Sequence, residues 1–369
     1  MAKKMLCALL LVAALAVLAA CTGGGDATPA VEEAPENVAE SVVEPEPEPV
    51  AEPEPVTEPE PVDEPEENAV SDGITIGMLQ IIDHPALDAA RNGFINGLAE
   101  EGWVEGVNVT YMHFNAQGDQ SNAHAMAQQI VDTPADLILG IATPTSQALA
   151  NATDTIPIVI TAVTDPLRAG LVESFERPNT NVTGTSDLTP VTQQFTLLTN
   201  LLPEAQVVGI MFNAGEVNSQ IQADMAMDAA RALGLDYIQG VVTSTADVAQ
   251  VAESIIEQVD VIYIPTCNTI AAAYTTVIRI AEDMGIPVIV GEEAGLPQGA
   301  LATEGINYYN LGRQTAVMAG QILRGEAVPQ EMPIQWQAYT TLTINTAAAE
   351  RLGITIPDDL LATANIVEY

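Results

Sequence analysis

From residue 73 onward, short β-branched apolar runs alternate with longer Ala-rich amphipathic stretches. Runs at 74–80, 108–115, 136–142, 156–163, 206–213, 235–242, 260–266 and 286–291 predict strands. Stretches at 86–101, 120–132, 219–233, 246–258, 269–284 and 310–324 predict helices. Leu137-Ile138-Leu139 and Val288-Ile289-Val290 lack the polar alternation of a half-exposed strand, so both are expected to be buried on two faces. Strand and helix in regular succession predict an α/β fold of parallel sheets with covering helices.

The pattern occurs twice. Asp136-Leu137-Ile138-Leu139 leads to Ala142-Thr143-Pro144-Thr145, then a helix, Ile156-Pro157-Ile158-Val159 and a polar turn at Thr164-Asp165-Pro166. Asp260-Val261-Ile262-Tyr263 leads to Pro265-Thr266-Cys267-Asn268, then a helix, Ile286-Pro287-Val288-Ile289 and a polar turn at Glu292-Glu293. The repeat predicts two similar doubly wound parallel-sheet lobes joined by a multi-strand hinge. The N-terminal lobe is expected over 73–187 plus 307–333, and the C-terminal lobe over 188–306 plus 334–369. The crossings fall near 185–189, 303–307 and 334–338. Open α/β sheets bind ligands beyond the carboxyl ends of their strands, so two facing lobes predict a cleft that closes by hinge motion.

The first 72 residues differ in texture. Lys3 and Lys4 precede an apolar run from Met5 to Ala20, too short for a comfortable membrane span, and small residues precede Cys21. This reads as a signal peptide over 1–20. Leu18-Ala19-Ala20-Cys21 resembles the lipobox of bacterial lipoproteins, which implies cleavage before Cys21 and a lipid anchor on it. Residues 21–72, with their Glu-Pro repeats, read as an acidic, extended, disordered linker.

The chain carries 50 Asp+Glu against 10 Lys+Arg, a formal net charge of -40. Such a surface repels nucleic acid and anionic lipid, and neither is expected as a partner. With Cys7 in the signal segment and Cys21 lipidated, Cys267 stands alone and no disulfide is expected. No nucleophile–base pairing, phosphate loop, dinucleotide fingerprint or metal-ligand spacing is present, so neither enzymatic activity nor a cofactor or metal is expected.

The candidate residues lie at the strand ends. Thr143 suits an N-cap and Pro144 the first helical position. With Thr145 and Ser146 they form a helix start able to receive a ligand carboxylate, or an ordinary capped helix. Asp165, after Thr164, is either a partner for a ligand ammonium or the first residue of an Asx-turn. Thr266 and Asn268 occupy the matching place in the second lobe. Of Glu292 and Glu293 one is expected to face the cleft. Asn213 either bridges the lobes or caps the next helix. His84 is read as a stacking or hydrogen-bonding group, Tyr308 as part of an aromatic wall, and Cys267 as a small buried residue.

Several longer motifs carry a family resemblance. They are His84-Pro85-Ala86-Leu87-Asp88-Ala89-Ala90-Arg91-Asn92-Gly93-Phe94, Asn115-Ala116-Gln117-Gly118-Asp119-Gln120, Ile141-Ala142-Thr143-Pro144, Thr161-Ala162-Val163-Thr164-Asp165-Pro166 and Gly291-Glu292-Glu293. Over about 74–354 the chain resembles ABC transporter substrate-binding lipoproteins of the tryptophan/tyrosine type. The resemblance implies a type I periplasmic-binding-protein fold and no enzymatic activity. It also implies an extracytoplasmic, membrane-anchored protein serving an ABC permease and ATPase, with an aromatic amino acid as leading ligand. A nucleoside, a sugar, another amino acid, or a tethered ligand sensor are the alternatives. Where the family commonly reads Pro-Thr-Asp-Asn, this chain has Pro265-Thr266-Cys267-Asn268, a change that bears on ligand choice if the position faces the cleft.

Overall fold

The structure, a computed structural model, describes residues 73–369. The expected signal peptide, Cys21 and the acidic linker lie outside the described residues. The first lobe is built from β1 (Ile74–Gln80), α1 (Pro85–Glu100), β2 (Val109–Asn115), α2 (Gln120–Val131), β3 (Leu137–Ile141), α3 (Thr143–Ala152), β4 (Ile158–Val163) and β5 (Val182–Ser186). Its five strands run parallel in the order β2-β1-β3-β4-β5.

The second lobe begins with α4 (Val191–Leu201), β6 (Val207–Asn213), α5 (Val217–Leu233), β7 (Asp236–Val242) and α6 (Val248–Ile255). It continues through β8 (Val261–Ile264), α7 (Asn268–Ala271), α8 (Tyr274–Asp283), β9 (Val288–Val290) and β10 (Ala302–Gly305). After α9 (Tyr308–Leu323) come β11 (Thr341–Asn345), α10 (Thr346–Leu352), α11 (Asp358–Thr363) and β12 (Asn365–Val367). The second sheet has the order β12-β11-β10-β9-β8-β6-β7. Its segment β7-β6-β8-β9-β10 repeats the strand order of the first lobe, which is the duplication seen in the sequence. In each lobe the order reverses beside the first strand, between β1 and β3 and between β6 and β8. Such a switch point leaves a crevice at the strand ends.

β3, β4, β8 and β9 are wholly buried, as their unbroken apolar runs require when helices cover both faces. Two features depart from the predicted pattern. β11 adds antiparallel to β10, so the second sheet is mixed. The single helix expected at 269–284 is two, because the Ala272 and Ala273 N–H groups bond back to Asn268 O and Ile270 O and close α7 before α8 begins.

The chain passes between lobes three times. It leaves the first lobe after β5, returns ahead of α9, and leaves again after Gln335. Ile334 N–H donates to Phe175 O, and Gln335 pairs with β5 through Gly184 and Ser186. The last crossing therefore starts past the expected residue 333. α9 lies along α1 with no room between backbones: a Cβ on Gly312 would stand 1.9 Å from Ala90 O, and one on Gly93 2.0 Å from Tyr309 O. These glycines fix the returning helix to the first lobe, so Tyr308 at its start is held at the mouth of β4 and β5.

Candidate ligand-binding cleft

The carboxyl ends of the two sheets face each other, and side chains from both touch. His84 Nε2 lies 3.4 Å from Asn268 Oδ1, and Thr164 Oγ1 3.4 Å from Thr266 Oγ1. Gln120 Nε2 donates across to Gly215 O at 2.9 Å. A crevice of about 360 Å³, lined by Ile82, Asp119, Gln120, Asn213, Gly215 and Asn268, opens on one side of the His84–Asn268 contact. A smaller one of about 130 Å³, beside Asp83, Ala271, Tyr274 and Gln298, opens on the other.

The centre holds two carboxylates. Asp187, immediately past β5, accepts from Thr164 Oγ1 at 3.0 Å and from the Tyr308 hydroxyl at 2.8 Å. Glu292, past β9 in the other lobe, accepts from the Tyr274 hydroxyl at 3.2 Å. Both are buried, at 4% and 2% exposure. Neither forms an ion pair: the arginines of the ion pairs among the described residues are bound to other carboxylates, away from this centre. Burial raises the Asp187 carboxyl above its ordinary range, against the pull of the Tyr308 and Thr164 hydroxyls. Burial, reinforced by the Asp187 charge, pushes Glu292 up to about 8. A closed cleft with two such groups favours a proton or a cation.

The first turn of α3 opens from the carboxyl end of β3, the strand next to β4. Ala142 precedes it at φ 82°, and Ala162 at the end of β4 has φ 56°. A non-glycine residue in this left-handed region costs about 1–3 kcal/mol, and such strain gathers at functional sites. Ala142 rather than Thr143 occupies the N-cap position, so the Thr143 hydroxyl caps nothing; it is buried and has no hydrogen-bond partner among the described residues. Thr145 and Ser146 turn their hydroxyl protons back to the Ile141 and Ala142 carbonyls. The first N–H groups of the helix have no partner within it.

His84 is neutral, because burial lowers it to about 4. Asn268 Nδ2 donates to Glu216 Oε2 at 2.6 Å, which turns Asn268 Oδ1 toward the imidazole. His84 Nε2 therefore carries the proton, and the unpartnered Nδ1 is a buried acceptor.

Other expected residues stay within their own lobe. Asp165 takes the turn role, accepting from Arg168 N at 2.9 Å. Asn213 accepts from Gly215 N and donates to Thr269 Oγ1. Glu293 accepts from Thr343 Oγ1 at 3.3 Å, which leaves Glu292 as the cleft member of that pair. Cys267 packs in an apolar cluster with Ile270 and Tyr274, its Sγ 4.0 Å from Glu216 Oε1. Cys267 therefore sits at the base of α7.

Asp187, Glu216, Asn218, Gln222 and Tyr274 were not expected. Glu216 accepts from the Asn268 and Thr269 amides at 3.0 and 2.9 Å and anchors α7 against the end of α5. The available signal for Asp187 was a carboxylate directly after the buried Val-Thr-Gly-Thr-Ser strand, inside a segment read only as a crossing.

The sequence model of the ABC transporter substrate binding protein family matches residues 75–368. A tyrosine-binding protein of Clostridioides difficile is 38% identical over 270 residues, covering 73% of this chain and 78% of that relative. A Streptococcus pneumonia domain solved with L-Trp is 36% identical, with a TM-score of 0.77 over 80% of this chain and 99% of that one. A ligand-free, open substrate-binding protein from Clostridium difficile is 39% identical, with a TM-score of 0.61 over 80% and 99%. The side chains of the two lobes touch, so the lobes here are closed, and the lower TM-score on the open structure agrees with this. The chain belongs to the ABC transporter substrate binding protein family, which captures extracytoplasmic solutes and catalyses no reaction. No helix among the described residues is long and apolar enough to cross a membrane.

Proposed function

We propose that this protein captures a zwitterionic aromatic amino acid between its lobes and delivers it to an ABC permease and its ATPase. In this reading Cys21 carries the lipid that holds it on the outer face of the cell membrane, and the acidic segment to residue 72 is the tether. The observation that carries the ligand class is the pair Asp187 and Glu292, buried from opposite lobes without an ion-pair partner. An α-ammonium supplies the missing charge and donates to both carboxylates and to Thr164. The α-carboxylate then meets the first turn of α3, where the Thr143 hydroxyl and unpaired N–H groups stand beside a favourable dipole. A neutral sugar or nucleoside brings these carboxyls no cation and leaves them to hold their protons. The aromatic side chain is supported by the tyrosine- and L-Trp-binding relatives.

Of the residues expected to touch ligand, Thr143, Thr164, Thr266, His84, Asn268, Glu292 and Tyr308 retain a place in this site, with Asp187 in the role first given to Asp165. Thr145 contributes helix geometry and its N–H, and Ser146, whose N–H donates to Ala142 O, contributes helix geometry alone. Native mass spectrometry of the globular part as purified is the test. The expected spectrum shows one added mass equal to an aromatic amino acid, lost on unfolding and restored by adding that amino acid. A retained hexose, or no uptake of any aromatic amino acid at millimolar concentration, contradicts the reading.

A further inference from the structure

Two carboxamides on α5 are half used. Asn218 Nδ2 donates to Thr266 O at 3.1 Å, and Gln222 Oε1 accepts from Thr266 N at 3.3 Å and from Thr189 Oγ1 at 3.0 Å. A backbone carbonyl accepts only and a backbone N–H donates only, so these bonds fix which way each carboxamide points. The remaining ends, Asn218 Oδ1 and Gln222 Nε2, are buried and have no partner among the described residues. They lie one turn apart on the same helix face, where α5 meets the first lobe: Val217 packs on that lobe's apolar cluster, and Thr266 Oγ1 reaches Thr164.

One unpaired acceptor beside one unpaired donor is the complement of a hydroxyl, which donates to the first and accepts from the second. We infer that Asn218 and Gln222 form a hydroxyl-reading subsite that makes the cleft prefer tyrosine to phenylalanine. The inference rests on the amino acid reading above and adds the specificity. Phenylalanine leaves both carboxamide ends dry and unpaired. The indole of tryptophan carries a donor and no acceptor, so it satisfies Asn218 alone.

Calorimetry with tyrosine and phenylalanine tests this on the intact globular protein. Tyrosine should bind more tightly than phenylalanine by about 100-fold or more, because phenylalanine leaves a buried donor and a buried acceptor unpaired; sites built around a substrate hydroxyl reach about 10,000-fold. In Gln222→Met the ratio of tyrosine to phenylalanine affinity should fall to under about fivefold. Gln222→Met also removes the acceptor for Thr266 N and Thr189, so Asn218→Ala, which deletes the facing acceptor and leaves Gln222 in place, is the second variant. It should likewise lose most of the preference. Equal binding of tyrosine and phenylalanine by the unsubstituted protein overturns the subsite while leaving the amino acid reading intact. A Gln222 variant that weakens both ligands alike and keeps their ratio also overturns it. If neither ligand binds the unsubstituted protein, the amino acid reading fails, and the subsite with it.

Discussion

Asp187→Asn should weaken aromatic amino acid binding by about 100- to 1000-fold, roughly 3–4 kcal/mol, while the unliganded protein melts at the same temperature or higher. The two effects separate because the carboxylate is costly until a ligand arrives. Its partners are hydroxyls, Thr164 at 3.0 Å and Tyr308 at 2.8 Å, and both remain available to an Asn. Thr164 can turn its proton toward Thr266 Oγ1, 3.4 Å away, and accept from the Asn amide, so the closed core keeps its bonds and loses a desolvated charge. The ligand ammonium loses its charge-assisted partner in a site where water cannot replace it. Calorimetry and thermal unfolding of the one variant check both halves. A variant that binds normally places the ammonium elsewhere.

Ligand affinity should rise with pH between about 5 and 8, by up to tenfold per unit, and fall again above about pH 9, where the free ligand's own α-ammonium loses its proton. A glutamate in the unfolded chain titrates near 4.5, whereas Glu292 in the closed cleft holds its proton to about 8. Between those values the native protein binds more protons than the unfolded one. The stability from this carboxyl is therefore present in full below about pH 4.5 and is lost as pH rises through about 8. Asp187 is shifted in the same direction. An ammonium needs ionised carboxylates, so binding below pH 8 must expel a proton. His84, lowered to about 4, stays neutral across this window. Calorimetry in buffers of different ionisation enthalpy should count about one proton released per ligand near pH 6.5 and none near pH 9. Acid pH should favour closure of the empty cleft. A pH-independent affinity contradicts the ammonium–carboxylate contact.

The lobes were legible in the sequence because burial on two faces strips a strand of alternation. Residues 137–139 and 288–290 show this, and the repeated order of features exposed the duplication. β10, β11 and β12 were not legible, being short or carrying polar residues such as Thr303, Glu304 and Thr341 at the hinge. The two-helix break at Ala272-Ala273 had no proline or glycine to announce it. The backbone closes on itself there, the Ala272 and Ala273 N–H groups bonding back to Asn268 O and Ile270 O, while the Glu216 carboxylate holds the start of α7.

Within the site, local patterns identified the strand ends and little of what each side chain does there. Asp165 and Asp187 both follow a buried strand of the first lobe, yet one closes its own turn while the other is carried beneath Tyr308 by a helix more than a hundred residues later. Pro166 after Asp165 is a local cue to its turn role, whereas nothing near Asp187 in the chain announces Tyr308. Cys267 is a similar case: the departure from the family pattern is visible in sequence, but only the fold shows it turned into the apolar cluster beneath α7.

The most direct test compares L-tyrosine with its des-amino analogue, 3-(4-hydroxyphenyl)propionate, by calorimetry at pH 8. The acid end and the ring are identical, so the difference isolates the group that the two facing carboxylates are held to receive. Tyrosine should bind and the analogue should be weaker by about 1000-fold or more. Comparable affinity for the two would show that the buried acids serve some other purpose.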